Sequence, residues 1–209
     1  MDWPNLQKYA VANKSVPIKE DEARIVFMGD SITEFWKEKN PKLFTARNYI
    51  NRGISGQTTS QMLLRFRQDV IDLKPFAVLI LAGINDIAEN TGPISLENVF
   101  GNIISMAELA QSNQIKVVLC SVLPAKAFPW RPDLKPADKI VRLNEMILEF
   151  AFKNDLIYVN YYSEMVSDDK GLQTKYSSDG VHPNALGYKT MQPFLEEAIA
   201  KVSRKDHNL

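Results

Sequence analysis

Residues 76–82, Phe-Ala-Val-Leu-Ile-Leu-Ala, carry no polar side chain. A strand with one wet face alternates apolar and polar residues. An uninterrupted apolar run this short is a strand covered on both faces, which places it inside a parallel sheet. Parallel neighbours cannot be joined by tight hairpins, so the chain must return through crossover segments, usually helices. This requirement decides how the remaining pattern is read.

Strands are expected at 24–28, 48–53, 76–82, 115–120 and 156–159, the second a short one that ends at Gly53. Between them lie the crossovers. Short helical pieces are expected at 34–39 and 42–46, around Pro41. Thr58-Thr-Ser-Gln61 matches a capping box, and Leu63, Phe66 and Val70 then repeat at helical spacing. Ser95 caps a helix with Leu96, Val99, Ile103, Met106 and Ala110 on its apolar face. An amphipathic helix is expected over 137–152, and a last one over 184–202, kinked or restarted at Pro193. Four prolines make 121–136 a long loop, and 163–183 reads as irregular. Residues 1–23 read as a polar segment that wraps the domain, and 203–209 as a frayed charged tail. Five β-α repeats predict an α/β fold: a three-layer α/β/α sandwich around a five-stranded parallel sheet, with residues 1–209 as one domain.

Composition narrows the function. Lys plus Arg and Asp plus Glu are 25 each, so the chain lacks the basic excess that nucleic-acid binding needs. The single cysteine, Cys120, excludes an intramolecular disulfide and reads as a buried strand residue. No apolar run is long enough to span a membrane. Met1-Asp-Trp-Pro is not a leader, which predicts a cytoplasmic protein as the sequence stands, or a secreted or periplasmic one if a leader has been removed.

Sites in such sheets lie beyond the carboxyl ends of the strands. The residues there are Gly29-Asp30-Ser31, Gly53, Gly83-Ile84-Asn85-Asp86, the loop holding Trp130, and Asp179-Gly-Val-His182. Each alone has a plain structural reading: Asp30 or Ser31 as a helix cap, Gly53 as a turn glycine, Asn85 as a turn residue, and His182 as incidental to a capping loop. Together they supply a hydroxyl nucleophile, a base and an orienting acid. Of the two histidines, only His182 lies in a segment expected to be structured, with Pro183 holding its backbone extended. There is no Gly-x-Ser-x-Gly elbow, His-Glu-x-x-His or Walker A sequence, and two histidines with one cysteine speak against a zinc site.

These blocks, in this order, resemble the SGNH hydrolases, the GDSL esterase/lipase superfamily. Gly29-Asp30-Ser31-Ile32, Gly53 within Asn51-Arg-Gly-Ile-Ser-Gly56, Gly83-Ile-Asn85-Asp86 and Asp179-Gly-Val-His182 match its four motifs. The nearest flavour is the branch of platelet-activating-factor acetylhydrolase-like proteins and carbohydrate acetylesterases. The resemblance implies a flavodoxin-like fold and a serine esterase. It implies Ser31, His182 and Asp179 as the triad, with an oxyanion hole from the N–H groups of Ser31 and Gly53 and the side chain of Asn85. No metal or cofactor is needed. The expected substrate is a short-chain ester, most simply acetyl, on a small molecule or carbohydrate. Asp30, Trp36, Trp130 and Arg131 are candidate substrate contacts, with Glu34 at the pocket border. A lysophospholipase, a thioesterase and a non-catalytic glycan- or protein-binding module are the alternatives. A homodimer is left open, because relatives include dimers.

Overall fold

The computed structural model describes residues 1–17 and 22–206. The elements run α1 (Gln7–Lys14), β1 (Ile25–Gly29), α2 (Ser31–Lys39), α3 (Pro41–Thr45), β2 (Tyr49–Gly53), α4 (Thr59–Asp69), β3 (Ala77–Leu81) and α5 (Ile84–Ile87). They continue with α6 (Leu96–Ser112), β4 (Lys116–Cys120), α7 (Ala137–Lys153), β5 (Ile157–Val159), α8 (Tyr161–Met165) and α9 (Ala185–Asp206). The strands form one parallel sheet in the order β2-β1-β3-β4-β5, the flavodoxin-like arrangement.

Every residue of β1 and β3 is buried, as a strand between two helical layers must be. On one face α6 packs between α4 and α7, with Phe100 edge-on to Phe150. On the other face α2 and α9 meet, with Trp36 stacked on Tyr188 at 5.4 Å between centroids. The strand ends are aligned: Gly29 sits beside both Gly53 and Leu81 in register. The turns leaving β1, β2 and β3 therefore emerge side by side at one edge.

Several local expectations needed correction. Helix α2 begins at Ser31 rather than at 34, because the Asp30 carboxylate accepts from the Ile32 N–H and caps it. At the start of the stretch expected to be irregular, 163–183, a short helix over 161–165 intrudes, capped by Asn160. The last helix passes through Pro193 and continues to Asp206, so 203–206 are helical rather than frayed. Residues 207–209, including His207, lie outside the described residues, as do 18–21 of the expected wrapping segment.

In the N-terminal segment no residue of α1 is buried. Hydrogen bonds hold it instead. The Trp3, Pro4 and Leu6 carbonyls accept from Gln61, Gln57 and Gln68, and Asn13 joins Arg52 to Asp69.

Gly53 shows how tightly the edge is assembled. A Cβ there would lie 2.7 Å from the Asp30 carbonyl oxygen and 2.8 Å from Glu34 Cα, so only glycine lets β2 pass this close to α2. Gly53→Ala should therefore destabilise the fold by about 1–3 kcal/mol through overpacking. Chemical denaturation checks this, and an unchanged unfolding midpoint would mean that the backbone yields at no cost.

Candidate active site

The turn after β1 delivers Ser31 to the first position of α2. Its N–H there has no intrahelical partner by helix geometry. Ser31 is only 6% exposed. Its Oγ lies 3.0 Å from His182 Nε2, although the two are 151 positions apart. His182 Nδ1 lies 2.7 Å from Asp179 Oδ2. The His182 ring is flanked by Phe35 at 5.5 Å and Trp130 at 6.1 Å.

The Asp179 loop is built around its carboxylate. Oδ1 accepts from the N–H groups of Val181 and His182 at 2.9 and 2.8 Å and from Ser177 Oγ at 3.0 Å. Burial works against ionisation here. The hydrogen bonds from His182, Val181 and Ser177 outweigh it and hold the carboxyl pKa down to about 2. Asp179 is thus a carboxylate at neutral pH, placed to fix the imidazole tautomer that leaves Nε2 facing Ser31.

A family model, the GDSL-like lipase/acylhydrolase family, matches residues 27–190. The chain belongs to this GDSL family. It is similar to a candidate acylhydrolase from Bacteroides fragilis, at 50% identity and TM-score 0.94, with 96% of this chain and 98% of that one covered. It is also similar to a GDSL-like lipase from Bacteroides thetaiotaomicron, at 50% identity and TM-score 0.91, with 95% and 98% covered. Human platelet-activating factor acetylhydrolase IB subunit alpha2 is 30% identical over 88% of this chain and 79% of its own length. The GDSL-type serine esterases and acylhydrolases are therefore the enzyme class of this chain.

The remaining GDSL-motif residues divide between the site and the scaffold. Asn85 stands at the site edge, 4% exposed. Its Nδ2 donates to the Gln57 carbonyl at 3.1 Å, and its second amide hydrogen has no partner among the described residues. Gly53 differs from expectation. Its N–H is consumed by Asn51 Oδ1 at 2.9 Å, its carbonyl accepts from the Tyr9 hydroxyl, and it is buried. The glycine with an available N–H is Gly56, three residues on, at the crest of the same loop. Its φ of +78° is glycine's own territory, and no described residue accepts from its N–H. The signal in the sequence was the second glycine of Gly53-Ile-Ser-Gly56. Glu34 braces this loop rather than bordering a pocket: Oε2 accepts from Ser55 N and Oγ at 2.7 and 2.6 Å, and Lys8 holds Oε1.

Two expected substrate contacts are core residues. Trp36 is 1% exposed because the inward face of α2 carries it, with Ile32, into the aromatic cluster of Phe27, Tyr161 and Tyr188. Asp30 is fully buried beneath the turn that carries Ser31. Trp130 does face the site, 42% exposed and stacked on buried Phe128 at 5.3 Å. Arg131 positions its neighbour from behind, donating to the Ala88 carbonyl and pairing with Glu89 and Asp133. Asn90, which the sequence reading passed over, bonds Asn85 Oδ1 at 2.8 Å. Its signal was position, five residues after the motif asparagine on the same turn.

Burial raises the Asp30 pKa to about 7, against the Ile32 N–H, and nearby Asp86 adds to the rise. Asp86 is itself raised to about 6 by burial, against hydrogen bonds from Thr59. The folded chain thus holds the Asp30 proton more tightly than the unfolded chain does. Its contribution to stability is undiminished below about pH 4 and is lost as pH rises to about 7. The stability of Asp30→Asn relative to the parent should therefore increase by a few kcal/mol between pH 4 and 8. Urea titrations at the two pH values read this directly, and a difference independent of pH would show that Asp30 titrates alike in both states.

Proposed function

We propose that this enzyme hydrolyses a short-chain carboxylic ester, most simply an acetyl ester, on a polyhydroxylated alcohol such as a carbohydrate. The observation that carries the reading is the aligned Ser31 Oγ, His182 and Asp179, at 3.0 and 2.7 Å, beside an uncommitted Asn85 N–H.

In this reading Ser31 Oγ attacks the ester carbonyl carbon while His182 Nε2 takes its proton. The carbonyl oxygen, now negative, is held by the N–H groups of Ser31 and Gly56 and the Asn85 amide. These donors are fixed before the charge forms and need no reorganisation. The tetrahedral adduct collapses as His182 returns the proton to the departing alcohol. Water, deprotonated by the same imidazole, then releases the acid and restores Ser31. Asp179 remains ionised throughout and stabilises the transient imidazolium.

The size of the alcohol is supported by a cavity of about 770 Å³ beside the triad loop, a volume typical of small-molecule sites. Gln173, Lys175, Asp168 and the Lys126–Asp169 pair line it, along with Gly180 and Phe128, the ring beneath Trp130. Amide, ammonium and carboxylate groups beside an aromatic wall suit a polyol better than a hydrocarbon chain. The acetyl group is supported by the similarity to a protein named as an acetylhydrolase.

Hydrolysis of p-nitrophenyl esters from acetate to palmitate tests this. Activity should peak at acetate and vanish in Ser31→Ala with the fold retained by circular dichroism. Asn85→Ala should lower kcat about 10²–10³-fold with little change in KM. A maximum at eight carbons or longer would replace the short-acyl reading with a lipid or thioester one. Activity surviving in Ser31→Ala would remove Ser31 from the chemistry.

A further inference from the structure

An oxyanion donor works only if its nitrogen, not its oxygen, faces the developing charge. A carboxamide is nearly symmetric in shape, so something must decide which way Asn85 points. Two groups whose polarity cannot be exchanged bracket it. At one end is the Gln57 backbone carbonyl, an acceptor only, 3.1 Å from Asn85 Nδ2. At the other is the indole N–H of Trp130, a donor only, 3.3 Å from Asn90 Oδ1. Between them Asn90 Nδ2 donates to Asn85 Oδ1 at 2.8 Å. The chain runs Trp130 N–H to Asn90 O, Asn90 N–H to Asn85 O, and Asn85 N–H to Gln57 O. Reversing either amide would set donor against donor or acceptor against acceptor.

Asn90 also reaches the other side of the hole. Its Nδ2 lies 3.3 Å from the Gly56 carbonyl oxygen, so one side chain touches both the Asn85 amide and the loop that carries the Gly56 N–H. Its own backbone is tied back, with N–H to the Asn85 carbonyl at 3.0 Å. Trp130 is held in turn by its stack on Phe128 and by the Arg131 anchors to Ala88 and Glu89.

We propose that Asn90 is a positioning residue that orients and polarises the Asn85 carboxamide, and that the Trp130 indole N–H sets the direction of this relay from the substrate side. The inference rests on the assignment of Asn85 as an oxyanion donor. Hydrogen bonds in series strengthen one another, so the relay also makes the free Asn85 N–H a better donor. Trp130, expected from the sequence as a substrate contact, thus acts through its N–H on Asn90 as well.

Steady-state kinetics with p-nitrophenyl acetate separate these roles. Asn90→Ala should lower kcat about tenfold or more, a part of what is lost with a whole oxyanion donor, and leave KM nearly unchanged. Trp130→Phe keeps an aromatic ring while removing the N–H together with part of the indole surface, on a side chain exposed enough to spare the fold. It should lower kcat roughly threefold, in keeping with a cooperative contribution. In an Asn90→Ala background the same change should have no further effect on kcat, because the relay is already cut. Asn90→Ser serves if the alanine variant does not fold. If Asn85→Ala impairs kcat but the Asn90 variants and Trp130→Phe keep parental kcat, or change only KM or the melting temperature, the relay is refuted and the ester-hydrolase reading stands. Multiplicative effects of the two changes in the double variant would likewise refute it. If Asn85→Ala itself leaves kcat intact, the oxyanion assignment fails, and this inference fails with it.

Discussion

The site edge is assembled around one buried guanidinium. Arg65, on α4 and fully buried, donates through Nη2 to the Gly29 carbonyl, through Nε to Gln57 Oε1 and through Nη1 to Asp69. A charge this far from water is tolerable only when paired and with its donors used, and the Asp69 carboxylate supplies that pairing. Burial lowers the Arg65 pKa and Asp69 opposes the fall. Arg65 thereby joins the end of β1, the loop after β2 and the helix that follows it. The Gly29 carbonyl is bound a second time by Ile54 N–H. Strand β1 can therefore end sharply and present Ser31, because the oxygen it leaves behind is fully used.

From that point outward the site is a set of turns braced against one another. Asn51 spans from the Thr33 carbonyl to the Gly53 N–H and ties β2 to α2. Glu34 ties α2 to Ser55, and Lys8 ties the N-terminal helix to Glu34. Asn85 and Asn90 join the turn after β3 to the loop after β2. Each bond is modest alone. Their combined effect is to hold the available N–H groups in place before any substrate arrives, which is the condition for electrostatic catalysis.

The sheet and its carboxyl edge were legible because burial on two faces leaves a pattern that survives in one dimension, and residues 76–82 carried it. The Ser31, Asn85, Asp179 and His182 turns were legible because each follows a strand or precedes a helix. What was not legible depended on which face of an element a residue occupies. Trp36 stands five residues after Ser31, but a helix turns it into the core. Gly53 and Gly56 look alike in sequence, and only the Asn51 side chain shows which N–H is already spent. The short helix at 161–165 has too few residues to show a period. Pro193 hides a continuous helix, since losing one backbone bond does not end a helix packed along β4 and β5.

Catalysis in the proposed reading turns on Ser31 as the nucleophile that His182 activates. Incubating the protein with a serine-reactive alkyl phosphonate and mapping the adduct by peptide mass spectrometry tests this most directly. One phosphonyl group per chain, on Ser31, with labelling strongly slowed in His182→Ala, is expected. An unlabelled protein, or an adduct on any other residue at the same rate with and without His182, would contradict it.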